Sequence, residues 1–377
     1  MKINKIYNKG NSNCTYYIGI MSGTSLDGID VILADFSSPH PSLLYTYYQP
    51  YDKKLRSQIL SLHKPNNNEL HLASMLNNKL ANYYAQAVIS LLNKHNIKPQ
   101  NIKAIGCHGQ TIRHCPEPNK GYSIQLGNAS LLAELTGITV VADFRNRDIA
   151  AGGQGAPLVP AFHKILFQDQ KINRVIVNIG GISNITDLSY NKKIIGFDCG
   201  PGNLLMDSWC QRHLGTAYDN NGMWAKSGKV IPGLLEKLMS LNFFSISPPK
   251  STGREIFNLS WLESHLSGNE KIEDVQATLL QLTCITITNA IINWLPDTAE
   301  IYLCGGGARN AALFSKIKIL LPDKKIALTD VLGIDADSLE AFSFAWLAKQ
   351  TIHGIPSNIP SVTNAKGERI LGAIYQA

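Results

Sequence analysis

No Cys-x-x-Cys pair and no zinc-like cysteine–histidine spacing occurs among the seven cysteines, Cys14, Cys107, Cys115, Cys199, Cys210, Cys284 and Cys304. The common zinc and dithiol redox motifs are therefore excluded. Their odd number, and the apolar neighbours of Cys284 and Cys304, favour reduced, mostly buried thiols in a cytoplasmic protein. The chain has few charges, 17% of 377 residues, and no low-complexity stretch, which speaks for an ordinary globular protein. Its net charge of +7, from 35 basic against 28 acidic residues, suits an anionic substrate or nucleotide. The basic residues are scattered and lack interleaved aromatics, so no nucleic-acid partner is expected. The basic, polar residues 1–14 are followed by no apolar signal core. The longest weakly apolar run, 278–295, carries Gln281, Asn289, Asn293 and several threonines. That run reads as a buried amphipathic helix, so no membrane association is expected.

What is present is a strand–glycine turn–strand unit that occurs twice. The first runs from Tyr16 to Met21, turns through Ser22-Gly23-Thr24-Ser25-Leu26-Asp27-Gly28, and continues from Ile29 to Ala34. The second runs from Arg174 to Ile179, turns at Gly180-Gly181, and continues through Ile182-Ser183-Asn184-Ile185-Thr186. Glycine, serine, threonine and asparagine expose backbone N–H groups and hydroxyls that can wrap a phosphate. No Gly-Lys-Ser/Thr follows the first turn, so this is not a Walker A loop and donors other than lysine must hold the phosphates. An ordinary hairpin explains either turn alone. Two of them, on two similar halves, suit a nucleotide gripped from both walls of a cleft.

Each half continues in the same style. A strand at 43–48 completes a first three-strand meander, with helical periodicity at 53–63 and 70–95. A short buried strand at 103–107 leads into His108-Gly109-Gln110-Thr111; a helix at 129–136 and a strand at 138–142 follow. The glycine-rich segment 150–157 reads as a hinge or lid boundary. The second half adds a strand at 193–197, helices at 204–214, 231–241, 272–294, 308–320 and 338–350, and strands at 300–303 and 325–328. The expected architecture is α/β: two lobes, each a mixed sheet flanked by helices, facing one another across a cleft.

Several side chains are candidates for chemistry. Asp198, in Phe197-Asp198-Cys199-Gly200-Pro201-Gly202-Asn203, stands at a strand end, either set out for catalysis or capping the helix that follows. Cys304-Gly305-Gly306-Gly307-Ala308 joins a strand to a helix, where glycines let backbone approach a phosphate or a flat ring. Residues 142–148 hold two arginines and two aspartates, explained by solvated loop charge or by a guanidinium held for a substrate carboxylate. His108 reads as a substrate contact or as a satisfied core histidine. Glu340 begins the last long helix, where the helix dipole also favours a carboxylate.

Taken together, the motifs resemble one family, the anhydro-N-acetylmuramic acid kinases, within the two-lobed actin/hexokinase/Hsp70-like ATPase (ribonuclease H-like) fold. The resemblance rests on Met21 to Gly28, Cys107 to His114, Val141 to Arg145, Gly152 to Pro160, Asn178 to Asn184, Gly196 to Asn203, Pro249-Lys250-Ser251-Thr252-Gly253-Arg254-Glu255 and Cys304 to Gly307, in order along the chain. No motif position departs from the pattern; only the segment before Tyr16 is longer than the family needs.

The resemblance implies an ATP- and magnesium-dependent enzyme of cell-wall recycling. It would open the 1,6-anhydro ring of anhydro-N-acetylmuramic acid with water and phosphorylate O6. It implies Asp198 as the base and Glu340 as a second active-site carboxylate. Gly23, Thr24, Ser25, Leu26, Asp27, Gly28, Ile29 and Asp30 would form the first phosphate clamp. Gly180, Gly181, Ser183 and Asn184 would form the second, and Gly305, Gly306 and Gly307 the adenosine side. His108, Arg147, Asp148 and Gln154 would meet the sugar. The implied lobes are 1–140 with 336–377, and 141–335; the implied assembly is a homodimer. An ordinary hexosamine kinase of the same fold, and an actin-like scaffold driven by ATP, are the alternatives. The dense motifs at 108–113 and 145–160 argue against the scaffold, which has no use for them.

Overall fold

The computed structural model describes residues 15–23, 25–65, 67–117 and 120–377; Thr24 and Cys14 lie outside them. Two mixed sheets organise the chain. The first contains β1 (Tyr16–Ser22), β2 (Gly28–Asp35), β3 (Ser42–Pro50), β4 (Ile102–Cys115), β5 (Tyr122–Leu126) and β6 (Val140–Ala142), joined by β12 (Ala373–Tyr375). The second contains β7 (Arg174–Ile179), β8 (Ile182–Asp187), β9 (Ile195–Pro201), β10 (Glu300–Cys304) and β11 (Lys325–Leu328).

The two share a plan. In the first, β1, β2 and β3 form an antiparallel meander, and β4 and then β6 add in parallel on the other side of β1. In the second, β7, β8 and β9 form the meander, and β10 and β11 add in parallel beside β7. This strand order, third-second-first-fourth-fifth, is the ribonuclease H-like arrangement expected from the sequence. Both central strands are apolar on both faces, as strands covered by helices on each side must be. In β1, Tyr17, Ile18 and Ile20 are buried, as are Val175, Ile176 and Val177 in β7.

Helices cover these sheets by ordinary amphipathic logic. The helix Glu69–Lys94 buries Leu76, Leu80, Tyr84, Val88 and Leu91, a stripe of three- and four-residue spacing. The helix Ile272–Trp294 is long and apolar enough to cross a membrane, but 78% of its apolar window is buried inside the protein. It is a core helix of the second sheet.

The helix Leu339–Ile352 lies against the first sheet unusually closely. Gly19 of β1 and Gly106 of β4 are register partners. A Cβ on Gly19 would overlap the carbonyl oxygen of Ala341, and one on Gly106 that of Phe344. Absence of side chains at this pair lets the helix backbone rest on the strands. Around it, Tyr17, Phe144, Phe162, Phe342 and Phe344 share one apolar cluster with Ile176 and Tyr302 of the second sheet.

Four details differ from the sequence reading. The strand expected at 103–107 runs on to Cys115, because residues 110–115 pair with β5 and Gly109, at φ 76°, supplies the local kink. The charged segment at 142–148 is largely the helix Phe144–Ala150. The strand expected at 193–197 is displaced to Ile195–Pro201, so Asp198 lies within it, opposite Asn184. The helix expected from 308 starts at Ala311: Gly305 is left-handed, Gly306–Arg309 form a 3-10 turn, and the Asn310 side chain caps the helix by accepting from the N–H groups of Ala312 and Leu313.

Candidate active site

The turns after β1 and β7 and the end of β9 converge with the start of the helix Leu339–Ile352. The first turn is supported from beneath. Ser22 Oγ lies 2.8 Å from Tyr84 Oη on the long helix, and Gln110 Nε2 donates to the Gly23 carbonyl at 3.1 Å. Leu26, left-handed at φ 59°, and Ile29 are buried in the core, so any contribution from them to a ligand comes through backbone. Ser25 Oγ donates to Asp27 Oδ1 at 2.5 Å, and Asp27 is exposed. Burial, reinforced by Asp27 and Glu340, raises the Asp30 carboxyl to about 7.

The second turn is clamped by the segment after β9. N–H groups of Gly202 and Leu204 donate to the Gly181 carbonyl at 2.9 and 3.1 Å, and that of Asn203 to the Gly180 carbonyl at 2.8 Å. A Cβ on Gly202 would overlap the Gly180 carbonyl oxygen, so only glycine allows this closeness. Ser183 is wholly buried beneath the turn, while Asn184 is half-buried opposite Asp198. Of the glycine triplet, Gly306 is exposed with open space at its Cβ position; Gly305 packs against Asn178, and Gly307 against Ile179 and Asn203.

Asp198 is held by a segment some 50 residues downstream. Its N–H donates to the Lys250 carbonyl at 2.9 Å, and its Oδ2 accepts from the Thr252 N–H at 2.9 Å. Lys250 is itself buried, its Nζ donating to the Phe243 carbonyl at 2.9 Å. Burial raises the Asp198 carboxyl to about 7, with Glu255 adding to the rise and the Thr252 N–H and Arg145 opposing it. Glu340 is also raised by burial, opposed by Arg145 and by Asn178, whose Nδ2 donates to Glu340 Oε1 at 3.1 Å.

The guanidinium that faces both carboxylates is that of Arg145. Burial lowers it to about 10 while Glu340, Asp198 and Asp148 pull it back up. It donates from Nη1 to the Gly155 carbonyl at 2.7 Å, and from Nε and Nη2 to His108 Nε2 at 3.1 and 2.8 Å. His108 therefore carries its proton on Nδ1, and burial plus the adjacent arginine hold its pKa well below the usual value. It stays neutral and steers Arg145.

Arg147 lies on the other side of the same short helix and is exposed. Asp148 is fully buried. Its carboxylate accepts from the Gly155 N–H, Asn358 Nδ2 and Thr363 Oγ1, each at 2.8 Å, so it fastens the glycine-rich loop. Gln154 is half-buried in that loop, its N–H donating to the Thr363 carbonyl at 2.7 Å. The site thus brings together Asp198, Glu340, Arg145 and His108 beside the two turns. Arg145, Asn178 and Thr252 are site residues that sequence reasoning does not single out, although all three lie in the motifs that carry the family resemblance.

With this geometry in view, comparison with known sequences is decisive: the profile of the family described as Anhydro-N-acetylmuramic acid kinase matches residues 15–377. The chain belongs to the anhydro-N-acetylmuramic acid kinase family. A protein of that name from Nitrosospira multiformis is 62% identical over 362 residues, covering 96% of this chain and 99% of its own. One from Nitrosomonas europaea is 60% identical over 362 residues, with 96% and 100% covered. A third, from Thiobacillus denitrificans, is 54% identical over 365 residues, with 96% and 97% covered. Among the residues described, nothing that positions Asp198, Glu340 or the two glycine turns lies outside the matched span.

Proposed function

We propose that this anhydro-N-acetylmuramic acid kinase uses ATP to convert 1,6-anhydro-N-acetylmuramic acid to N-acetylmuramic acid 6-phosphate, a step of cell-wall recycling. The observation that carries the mechanism is a half-buried carboxylate, Asp198, held in β9 by the Thr252 N–H at 2.9 Å beside the second phosphate turn, with burial raising it to about 7. The anhydro sugar has no free 6-hydroxyl, so there is nothing for a conventional sugar-kinase base to deprotonate. Water must attack C1 instead. As its oxygen bonds to C1, the C1–O6 bond breaks, O6 attacks the γ-phosphorus, and the water proton passes to Asp198; ADP leaves. With Oδ2 fixed by Thr252, Oδ1 is the oxygen available to that water. A base with a pKa near working pH is suited to the transfer. Glu340 orients the sugar or water. Arg145, fixed by His108, supports substrate binding between the two carboxylates.

Phosphoryl transfer itself depends on positioning and charge neutralisation. The turns at Gly23–Asp30 and Gly180–Asn184 would hold the phosphates, and Gly306 the adenosine side. Among the described residues no group of three or more His, Cys, Asp or Glu side chains is placed to hold a metal. When bound, magnesium would neutralise the charge of the nucleotide phosphates, and the exposed Asp27 is the carboxylate of the first turn that would help hold it. The lobes are 1–140 with 336–377, and 141–335, closing over the ligands as a homodimer in the cytoplasm. Uptake of β12 by the first sheet supports the return of the carboxy-terminal residues to the first lobe, while β6 carries that sheet to Ala142, two residues past the proposed boundary. ADP release in oxygen-18 water with the anhydro sugar tests the reaction. One heavy oxygen at C1 of a 6-phosphorylated product supports it; ADP formed only with sugars that carry a free 6-hydroxyl overturns it in favour of an ordinary hexosamine kinase.

A further inference from the structure

Among the described residues, one side chain of the second sheet, Asn178, hydrogen-bonds Glu340, and it has little freedom. Asn178 is the penultimate residue of β7, where its backbone is engaged on both sides, by Asn184 of β8 and Cys304 of β10. It is 7% exposed. Its Oδ1 occupies the place a Cβ on Gly305 would take, so the amide is wedged against the adenosine-side turn and cannot swing away. Its Nδ2 donates to Glu340 Oε1 at 3.1 Å. The backbone leading to Glu340 is tied to the same turn. Gly305 N–H donates to the Ala336 carbonyl at 2.9 Å, and Arg309 pairs with Asp335 at 2.7 Å and Asp337 at 3.0 Å.

We propose that Asn178 is the positioning residue for Glu340: its amide fixes the direction of that carboxylate and ties it to the turn that receives the nucleotide phosphates. The proposal rests on the reading of Glu340 as an active-site carboxylate. The chemistry explains why an amide stands there. Arg145, whose Nε, Nη1 and Nη2 are engaged by His108 and Gly155, acts on Glu340 through its charge and sets no direction for the carboxylate. The directional donor is the Asn178 amide, which engages Oε1 and leaves Oε2 for the sugar or water. Because Asn178 lies two residues before Gly180, in the strand that carries the braced second turn, the donor shares that turn's fixed geometry. The charged and titratable groups around Glu340 are Arg145 from the helix Phe144–Ala150, Asp30 of β2, Cys304 at the end of β10, and Asp335 and Asp337 on its own approach.

A double-mutant cycle tests this, using purified full-length enzyme, ATP and the anhydro sugar. Asn178→Ala removes only the amide. It should lower kcat on the order of tenfold or more, the worth of a hydrogen bond to a charged group. ADP affinity should change less than about threefold. In the Glu340→Gln background the same substitution should have little further effect. An equal fold-loss in both backgrounds overturns the proposal and leaves Asn178 a packing residue. Full activity of Glu340→Gln alone overturns the reading of Glu340, and the proposal with it. Asn178→Ser, which keeps a short hydroxyl donor, should recover part of the activity; no recovery in a folded Asn178→Ser protein counts against it.

Discussion

The turn after β1 and the turn after β7 hold the same place in sheets of the same strand order, yet they are built in different ways. The first is braced locally: among the described residues its Gly23 carbonyl accepts from Gln110 Nε2 at 3.1 Å and from the Leu26 N–H of its own turn at 3.4 Å, and the Cβ position of Gly23 is open, as is that of Gly180. The second has both glycine carbonyls occupied by backbone N–H groups from 202–204, and no room for a side chain on Gly202. The lesson is a division of labour. The first wall is braced by its own turn and one side chain, while the second is pre-organised because the strand it braces carries Asp198. In the proposed role of base, Asp198 must be held within about half an ångström of its geometry, and packed backbone does that better than a loop.

The sharpest way to break the comparison is at Asp198. Asp198→Asn should lower turnover by about 10²–10⁴, the range for loss of a general base, measured as ADP release. The same variant should unfold less readily at alkaline pH. The Asp198 carboxyl rises from 3.8 to about 7 in the fold, so the folded state binds this proton more tightly than the unfolded chain does. Stability from this group is present at low pH and is lost as pH climbs from about 4 to about 7. The amide has no such loss, and should be more stable by about 1–3 kcal/mol at pH 8, the difference closing toward pH 4 in urea titrations. In the parent enzyme kcat/KM should rise about tenfold per pH unit up to about 7 and then level off, since the base works ionised.

Next in size is the arginine pair. Arg145→Lys removes a forked donor from His108 and Gly155 and should cost about 10–100-fold in kcat/KM for the sugar. Arg147→Ala should change it by less than about twofold. An equal loss at both would mean that the charge of the segment, rather than one aimed guanidinium, matters. The smallest effects contrast the turns directly. Gly202→Ala should cost roughly 1–3 kcal/mol of stability by overpacking, against at most about 0.5 kcal/mol for Gly23→Ala, read from urea unfolding midpoints.

Much of the architecture is legible in the residues themselves. The hairpins announce themselves by apolar runs around glycine, and the bounds of 272–294 and 325–328 are met residue for residue by the helix Ile272–Trp294 and the strand Lys325–Leu328. Family motifs carry the identity. What stays hidden has physical causes. A charge cluster does not say which member faces inward: Arg145 and Arg147 are two apart on a helix, hence on different sides, and the polar composition of that helix obscures it. The Thr252 N–H that holds Asp198 comes from 54 residues away, and a backbone donor leaves no trace in residue type. The sequence reading ends that strand at Cys107, whereas pairing with β5, distant in sequence from residue 107, carries it on to Cys115.

The glycine pair Gly19 and Gly106 has a consequence for synthesis. The helix that rests on those two strands and the strand β12 that closes the sheet's far edge both come from residues after 338, while their partners lie within the first 142. The amino-terminal lobe, first to leave the ribosome, cannot complete its own core until nearly the entire polypeptide has been made. The second sheet, assembled from residues 174–328, has all its strands in hand before then. The strands of the second sheet can thus pair before the first sheet is finished, while the Ile176 and Tyr302 face of the second sheet waits for the same late helix.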